Sequence, residues 1–473
     1  MSLRQTLAAA FALASPLAAQ VTNDPFPEPI GGGQAPIVVD YVDFAEIPGV
    51  GDEMPRMTIL ITEPGTRRMF VNDMLGPIYS ISYDGRTVTR YIDTNDARWG
   101  YRIRADGRER GMQSFAFHPQ FGRSGTPGYG KFYTWVDIED TGPQPDFRPG
   151  PDGQDSHDTV LLEWTARNAS AATYDGGPPR ELMRLEQPFG NHNAGQLGFN
   201  PTAEPGDPDF GMLYMGVADG GSGGDPMNMS LDLRSAFGKI FRIDPLGTNS
   251  ANGKYGIPSD NPFVPRSSSG TLGEIYAYGT RNPQRFGWDP QNGNLFMADI
   301  GQNTVEKLTL VPRGANLGWN EWEGSYRYVG REGVDSRNPR SGRSVTFPVA
   351  EYGQPDPLLQ NQSAATGVHV YRANRIPQIA NMVLWGDNPS GEVWAISADN
   401  LPNGGQDAIR RILLRDDGEA KTLMQLVIER NAEQGRDPAT RIDLRLGSGP
   451  EGEALLLNKY DGMVRMLVPR GGR

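Results

Sequence analysis

No cysteine occurs in the 473 residues. Disulfides, thiolate metal sites, iron–sulfur clusters and cysteine nucleophiles are thereby excluded. Histidine is scarce, with only four in the chain. Basic charge is outweighed: 45 Lys+Arg face 57 Asp+Glu, for a formal net charge of −12. An acidic chain of this kind is a poor non-specific partner for nucleic acid or an anionic membrane. After residue 19 no apolar run approaches the ~20 residues that a membrane span requires. A serine hydrolase of the nucleophile-elbow type and a zincin with H-E-x-x-H spacing are both disfavoured.

What the chain has in excess is glycine and proline, 60 and 39 residues, well above the roughly 12% average for the pair. Both break helices, so a helical bundle is disfavoured and short strands joined by turns and long loops are favoured. At the N-terminus Arg4 precedes a mostly apolar, Ala-rich run over 7–19. Its length suits the core of an export signal and is too short for a stable span. Cleavage after Ala19 is expected, leaving Gln20 first and placing the protein in the periplasm or outside the cell. A buried N-terminal helix is the alternative, disfavoured by the Pro/Gly-rich stretch that follows.

One pattern recurs six times. An apolar run ends in an Asp, Asn or Gly turn and a second apolar run follows: 69–76 then 78–82, 131–137 then 159–164, 212–219 then 238–244, 294–299 then 305–311, 382–387 then 391–396, and 454–459 then 462–468. The alternation suits strands with one buried face. Repetition of such units predicts an all-β, six-bladed β-propeller with long top-face loops. The stretches 137–158, 248–273 and 328–365 are expected as those loops, where function concentrates. A two-domain sandwich is the alternative. One short helix is expected at Gln425 to Gln434. The expected organisation is 1–19 signal peptide, 20–57 N-terminal extension and 58–473 propeller.

Among the histidines, His118 and His369 lie in strand-like apolar runs and read as structural, and His157 as solvated. His192 differs, because it sits in the polar turn Gly190-Asn-His-Asn-Ala-Gly-Gln-Leu197 beside Asn191, Asn193 and Gln196. A loop histidine with its tautomer fixed by neighbours suits a general base near neutral pH. The Gly-dense turn 217–226 carries Asp219 and Asp225, which suit Ca²⁺ through oxygens, an anion through N–H groups, or a plain flexible turn. A second oxygen-rich turn, Ala298-Asp-Ile-Gly-Gln-Asn303 followed by Glu306, suits a hard cation. Between them, in Tyr278-Gly-Thr-Arg-Asn-Pro-Gln284, Arg281 is a fixed charge able to clamp an anionic or quinonoid cofactor. An inter-blade salt bridge is its other possible role.

At these residues the chain resembles the glucose/sorbosone dehydrogenase family, soluble sugar dehydrogenases that use pyrroloquinoline quinone (PQQ) and Ca²⁺. The resemblance rests on collinear segments: Glu109-Arg-Gly-Met-Gln-Ser-Phe-Ala-Phe-His-Pro119, Asn191-His-Asn-Ala-Gly-Gln-Leu197, Asp219-Gly-Gly-Ser-Gly-Gly-Asp-Pro226 with Gly238-Lys-Ile-Phe-Arg-Ile-Asp244, Tyr278 to Gln284, Ala298 to Asn303, and Asn316-Leu-Gly-Trp-Asn320. It implies a six-bladed propeller that oxidises an aldose or related sugar and passes electrons to a quinone or cytochrome acceptor. It implies His192 as the base taking the sugar C1 hydroxyl proton and Arg281 as the cation stabilising charge on the reduced cofactor. Asn282 matches a PQQ contact, Gly301 and Gln302 the turn at PQQ and Ca²⁺, and Glu306 stands close behind as a further metal ligand. Glu109 and Asn191 fall on the substrate side. The chain also departs from the pattern. Glucose-oxidising members bind the PQQ carboxylates with a Lys and paired Arg, whereas Gly386-Asp-Asn-Pro-Ser-Gly391 has no Lys; Arg441 and Arg445 are the candidate pair. Position 302 is Gln where the family has Pro, and Gly follows Asp219 where a longer polar contact is usual. A non-catalytic Ca²⁺-stabilised propeller binding a glycan or protein partner is the alternative, with a metal-dependent lactonase as a third reading.

Overall fold

The computed structural model describes residues 20–140, 142–150 and 157–472. The expected signal segment 1–19 lies outside them, as does part of the stretch 137–158. All six units read from the sequence are antiparallel strand pairs. The fold is all-β and built of four-stranded sheets, the arrangement of a β-propeller. The first sheet runs Met57–Glu63, Arg68–Asp73, Pro77–Ser82 and Val88–Asp93. Met112–Phe117, Lys131–Ile138, His157–Thr165 and Arg180–Gln187 form the next. Ala194–Phe199, Leu213–Val217, Lys239–Ile243 and Ile275–Tyr278 follow, then Arg285–Trp288, Leu295–Asp299, Val305–Leu310 and Ala350–Gly353.

Four short strands, Val21–Thr22, Val334–Asp335, Tyr326–Tyr328 and Trp322–Glu323, form a small sheet of their own, and the remaining strands share one nine-stranded sheet. Ile37–Glu46 joins its two halves, running parallel to Arg410–Asp416 and antiparallel to Met463–Val468. Part of the stretch 20–57, expected as an extension, thus stitches the start of the chain to its end. The opening strands of the sheets lie side by side in turn, and Arg445–Ser448 returns to Met57–Glu63 to close a ring.

Burial departs from the one-face pattern expected. Lys131–Ile138 is buried at every residue but the first, and Leu295–Asp299 throughout. Sheets pack on both faces, so apolar runs are nearly continuous. Aromatic rings fill the gap between sheets: Phe70 of the first sheet meets Phe117 of the next with centroids 4.5 Å apart, and Trp99, in the connection between them, meets Trp164 edge-on at 5.2 Å. The helix spans Leu423–Glu433, beginning earlier than expected because Thr422 and Gln425 form a capping box ahead of buried Leu423, Leu426 and Val427.

In an antiparallel meander, the connection into the first strand and that between the second and third lie at one end. The connections 94–111, 188–193, 279–284 and 435–444 enter first strands, and 218–238, 300–304, 388–392 and 458–462 join second to third. All therefore open on the same end. The stretch 248–273, expected there, instead joins third to fourth strands and leaves from the opposite end. The stretch 328–365 is only partly loop, since Ala350–Gly353 is the fourth strand of its sheet.

His118 and His369 are structural, as expected. The first accepts the Gln120 N–H at Nδ1 (3.1 Å); the second lies 2.8 Å from Ser448 Oγ and 3.2 Å from the Gly452 carbonyl. Burial pushes each imidazole down to about 4, with Lys131 adding to the effect at His118. His157 is not solvated as expected: it opens a strand paired with Arg180–Gln187 and is fully buried. As pH falls below ~6.5 the unfolded chain takes up protons that the native His118 and His369 refuse until about 4. Stability present above 6.5 is therefore lost through that window, by about 3 kcal/mol per histidine. A His118→Gln/His369→Gln variant is expected to be less stable at pH 7.5, yet to lose less stability between pH 7 and 4. A wild-type pH slope in urea titrations of that variant would contradict this.

Candidate active site

His192 adopts φ 55°, uncommon for a non-glycine residue and a form of strain that concentrates at functional sites. Its backbone N–H donates to Glu109 Oε2 at 2.9 Å. Its Nδ1 lies 2.7 Å from Asp219 Oδ1. A carboxylate only accepts, so Nδ1 carries the proton and Nε2 the lone pair. Nε2 has no partner among the described residues and is not among the buried orphaned atoms, so it stays open. Asp219 is itself locked: Oδ2 accepts from Trp319 Nε1 (2.9 Å), Oδ1 from the Gly221 N–H (3.0 Å), and its backbone N–H donates to the Arg281 carbonyl (2.8 Å). Burial opposes its ionisation, but His192, the Arg281 charge and the Gly221 N–H outweigh burial and hold the carboxyl below its usual range.

Asp299, at the end of its strand, accepts the backbone N–H groups of Arg281 (3.1 Å) and Asn282 (2.7 Å) and pairs with Lys307 at 3.1 Å. This fixes the turn that Pro283 already restricts. The Arg281 guanidinium donates to Gln302 Oε1 (3.1 Å) and the Ile300 carbonyl (3.3 Å) and lies 5.8 Å from the Trp319 ring centroid. Asn282 donates to Glu109 Oε2 at 3.3 Å, and its Oδ1 is buried without a partner. His192, Arg281, Asn282, Gln302 and Glu109 are thus brought together, as the sequence suggested. Asn191 joins them from behind: its Oδ1 accepts the Ser222 N–H at 3.3 Å and closes the turn after Asp219. A Cβ on Gly221 would come within 2.4 Å of that Oδ1, so the turn requires glycine there.

The two oxygen-rich turns fare differently from expectation. In 217–226 both carboxylates are engaged, Asp219 as above and Asp225 by the N–H groups of Met229 and Ser230. The fully buried Lys239 ammonium donates to the carbonyls of Met229, Ser230 and Phe237. These carbonyls follow the turn within the same connection, 218–238. The run Gly220 to Gly224 has G-x-S-x-G spacing, but no helix follows it among the described residues, so the elbow context is missing. In the second turn, a Cβ on Gly301 would lie 1.9 Å from the Val305 carbonyl. The carbonyls of Gly301 and Gln302 accept no hydrogen bond among the described residues. Glu323, unremarked in the sequence, gathers the N–H groups of residues 302–305 on Oε1 at 2.7–3.0 Å. Its Oε2 is buried and unpartnered.

Glu306 does not face this turn as an open ligand. Its carboxylate accepts the N–H groups of Gly301 (3.0 Å) and Ala365 (2.8 Å) and Gln354 Nε2 (2.7 Å), tying adjacent sheets; burial pushes its carboxyl up. Glu306→Ala leaves buried N–H groups unpaired and is expected to cost about 3 kcal/mol in denaturant unfolding. A variant as stable as wild type but impaired in Ca²⁺ binding would return Glu306 to the ligand set. No group of three or more His, Asp or Glu suited to a metal occurs among the described residues.

Arg441 pairs with Asp443 (2.5 Å) and donates to Asn388 Oδ1 (3.3 Å). Arg445 is fully buried and donates to Gln284 Oε1 at 2.9 Å. The sequence did not single out Asp219 as the partner of His192, nor Trp319, Arg285 or Lys459. The signals were a carboxylate just past a strand end and basic residues beside apolar inner strands.

A family model described as Glucose / Sorbosone dehydrogenase matches residues 60–411. The HIPL1 protein of Arabidopsis thaliana is 32% identical over 329 residues, covering 61% of this chain and 44% of that protein. The Hedgehog-interacting protein of Homo sapiens is 27% identical over 225 residues, covering 47% of this chain and 28% of that one. The chain thus spans less than half the length of these curated relatives. Among solved structures, the PQQ-bound form of Aldose Sugar Dehydrogenase from Streptomyces coelicolor superposes with a TM-score of 0.57 at 18% identity, covering 92% of this chain and 99% of that one. That likeness establishes a common fold.

Proposed function

Because the chain belongs to the Glucose / Sorbosone dehydrogenase family, we propose that it is a six-bladed propeller that oxidises an aldose or related sugar with PQQ and Ca²⁺. The observation that carries this reading is the His192–Asp219 pair, with Nε2 open at the same end of the ring as Arg281 and Asn282. When bound, PQQ supplies the acceptor for the C1 hydride and Ca²⁺ a Lewis acid.

The residues present fit a planar, anionic cofactor. Arg281 offers a guanidinium, Asn282 Oδ1 lacks a donor, and Arg285 and Arg445 each bury an unpartnered Nε. The free carbonyls of Gly301 and Gln302 suit one side of a Ca²⁺ ion. They are fewer than the six to eight oxygens it takes, so cofactor and water complete the shell. His192 Nε2 takes the C1 hydroxyl proton. Asp219 holds the imidazole in the required tautomer and stabilises its cation, and Trp319 holds Asp219. Arg281 stabilises negative charge that forms against it. Glu109, anchored through Oε2 to His192 and Asn282, orients the sugar with its other oxygen, and Asn191 lends its amide nitrogen. Oxidation at C1 of a cyclic aldose yields the lactone, with two electrons leaving for a quinone or cytochrome.

We further read 1–19 as an export signal, placing the protein in the periplasm or outside the cell. No helix among the described residues is long and apolar enough to cross a membrane. Titrating the purified apoprotein with PQQ, with and without Ca²⁺, tests the reading. Saturable, Ca²⁺-strengthened binding is expected, and absence of binding would overturn it. A binding module for a protein or glycan is the second reading, favoured by the similarity to Hedgehog-interacting protein.

A further inference from the structure

We infer that Arg285, Arg445 and Lys459 form a buried site for a polycarboxylate at the mouth of the ring, with Lys459 supplying the ammonium absent from the turn 386–391. The inference rests on the reading of this mouth as a cofactor pocket and specifies how this chain holds the acid groups.

Arg285 and Arg445 open two of the ring's inner strands, Arg285–Trp288 and Arg445–Ser448, and each is only 2% exposed. Neither forms an ion pair among the described residues. Arg285 donates to the carbonyls of Gln284 (2.5 Å) and Gln113 (3.3 Å), and Arg445 to the carbonyl of Leu444 (2.8 Å) and Gln284 Oε1 (2.9 Å). The Nε of each is buried with no acceptor. Burying a cation without a counter-charge is strongly unfavourable unless something compensates. Carbonyls alone leave the charge in place.

Lys459 belongs to the turn 458–462, at the same end. Its N–H donates to the Ile442 carbonyl, and the Ile442 N–H to the Pro389 carbonyl. The backbone thus links Lys459 through one intervening segment to the turn that lacks a lysine. Its Nζ lies 3.6 Å from Asp443 Oδ2, beyond hydrogen-bond reach, while Asp443 is already held by Arg441 at 2.5 Å. Burial pushes Lys459 down to about 7; Asp443 pulls the other way, and the charges of Arg445, Arg56 and Arg285 add to the depression. Burial likewise lowers Arg445 to about 10 and drives Arg285 well below its ordinary range, the latter with help from Arg445. Asp443 and Glu109 both act on Arg445, Asp443 is the one carboxylate acting on Lys459, and Arg285 is acted on by the charge of Arg445 and by no carboxylate, while Arg441 and Arg56 add further positive charge. The missing negative charge is what a small ligand with two or more carboxylates supplies. Guanidinium forks suit planar carboxylates, and an ammonium adds a point charge.

The acid groups can come from PQQ or from a free polycarboxylate, so both are used as probes. Benzene-1,3,5-tricarboxylate and PQQ are titrated separately into the apoprotein, following melting temperature and calorimetric heat. Wild type, Lys459→Met, Lys459→Arg and Arg445→Met are compared. The expected result is that both ligands stabilise wild type. Affinity should fall about 10²-fold in Lys459→Met and Arg445→Met and be largely kept in Lys459→Arg. Without ligand, the Met variants should melt at or above the wild-type temperature, because an unpaired buried cation has been removed. Met variants that bind both ligands as tightly as wild type, or that melt lower with binding unchanged, would overturn the site. Tricarboxylate binding without PQQ binding would keep the site and remove the cofactor reading. PQQ binding that is equal in all variants would keep the cofactor reading and remove the site.

Discussion

His192→Ala is expected to lower kcat for sugar oxidation by about 10²–10⁴ while PQQ affinity changes little. The imidazole has one engaged nitrogen, Nδ1 on Asp219, and one open nitrogen, so its removal takes away the proton acceptor and one hydrogen bond to the buried Asp219, which Trp319 and the Gly221 N–H still hold. Its backbone is in the left-handed region at φ 55°, which asparagine tolerates better than alanine. His192→Asn therefore serves as the control for backbone strain and should be equally inactive. Steady-state dye reduction on the best sugar, alongside PQQ titration, separates the two effects. Near wild-type turnover in either variant would remove His192 from the mechanism.

Arg281→Lys is expected to reduce turnover by about 10²–10³ and, unlike His192→Ala, to weaken cofactor binding as well. The guanidinium bridges Gln302 Oε1 and the Ile300 carbonyl and still presents charge over Trp319. An ammonium keeps the charge but cannot reproduce the fork. The turn itself should survive, because Asp299 holds it through the backbone N–H groups of Arg281 and Asn282. A loss of kcat with unchanged cofactor affinity would assign Arg281 to the chemical step alone; unchanged values of both would remove it from the site.

Much of this was legible in the chain. An apolar run, a turn of Asp, Asn or Gly, and a second apolar run is a local signal, and each such unit is an antiparallel pair of neighbouring strands. The burial of both faces was less legible, because it depends on the neighbouring sheet and not on the strand. Loop placement follows from the parity of connections, which is why 248–273 fell at the wrong end. His192 was recognisable by its polar turn. Its partner Asp219 was not, since the contact joins different connections and the same residue reads locally as a turn or metal carboxylate. Glu306 misled for a similar reason: its three donors come from three separate segments.

In the proposed reaction this chain's own residues take a proton from a sugar hydroxyl while PQQ, when bound, accepts the hydride. A single-turnover experiment tests it most directly. PQQ- and Ca²⁺-loaded protein is mixed anaerobically with an aldose panel, without electron acceptor, and the cofactor absorbance is followed. The expected result is a sugar-dependent change of one equivalent per site, accompanied by lactone and slowed about 10²–10⁴-fold in His192→Ala. Loaded wild-type protein whose cofactor absorbance stays constant with every sugar would contradict it.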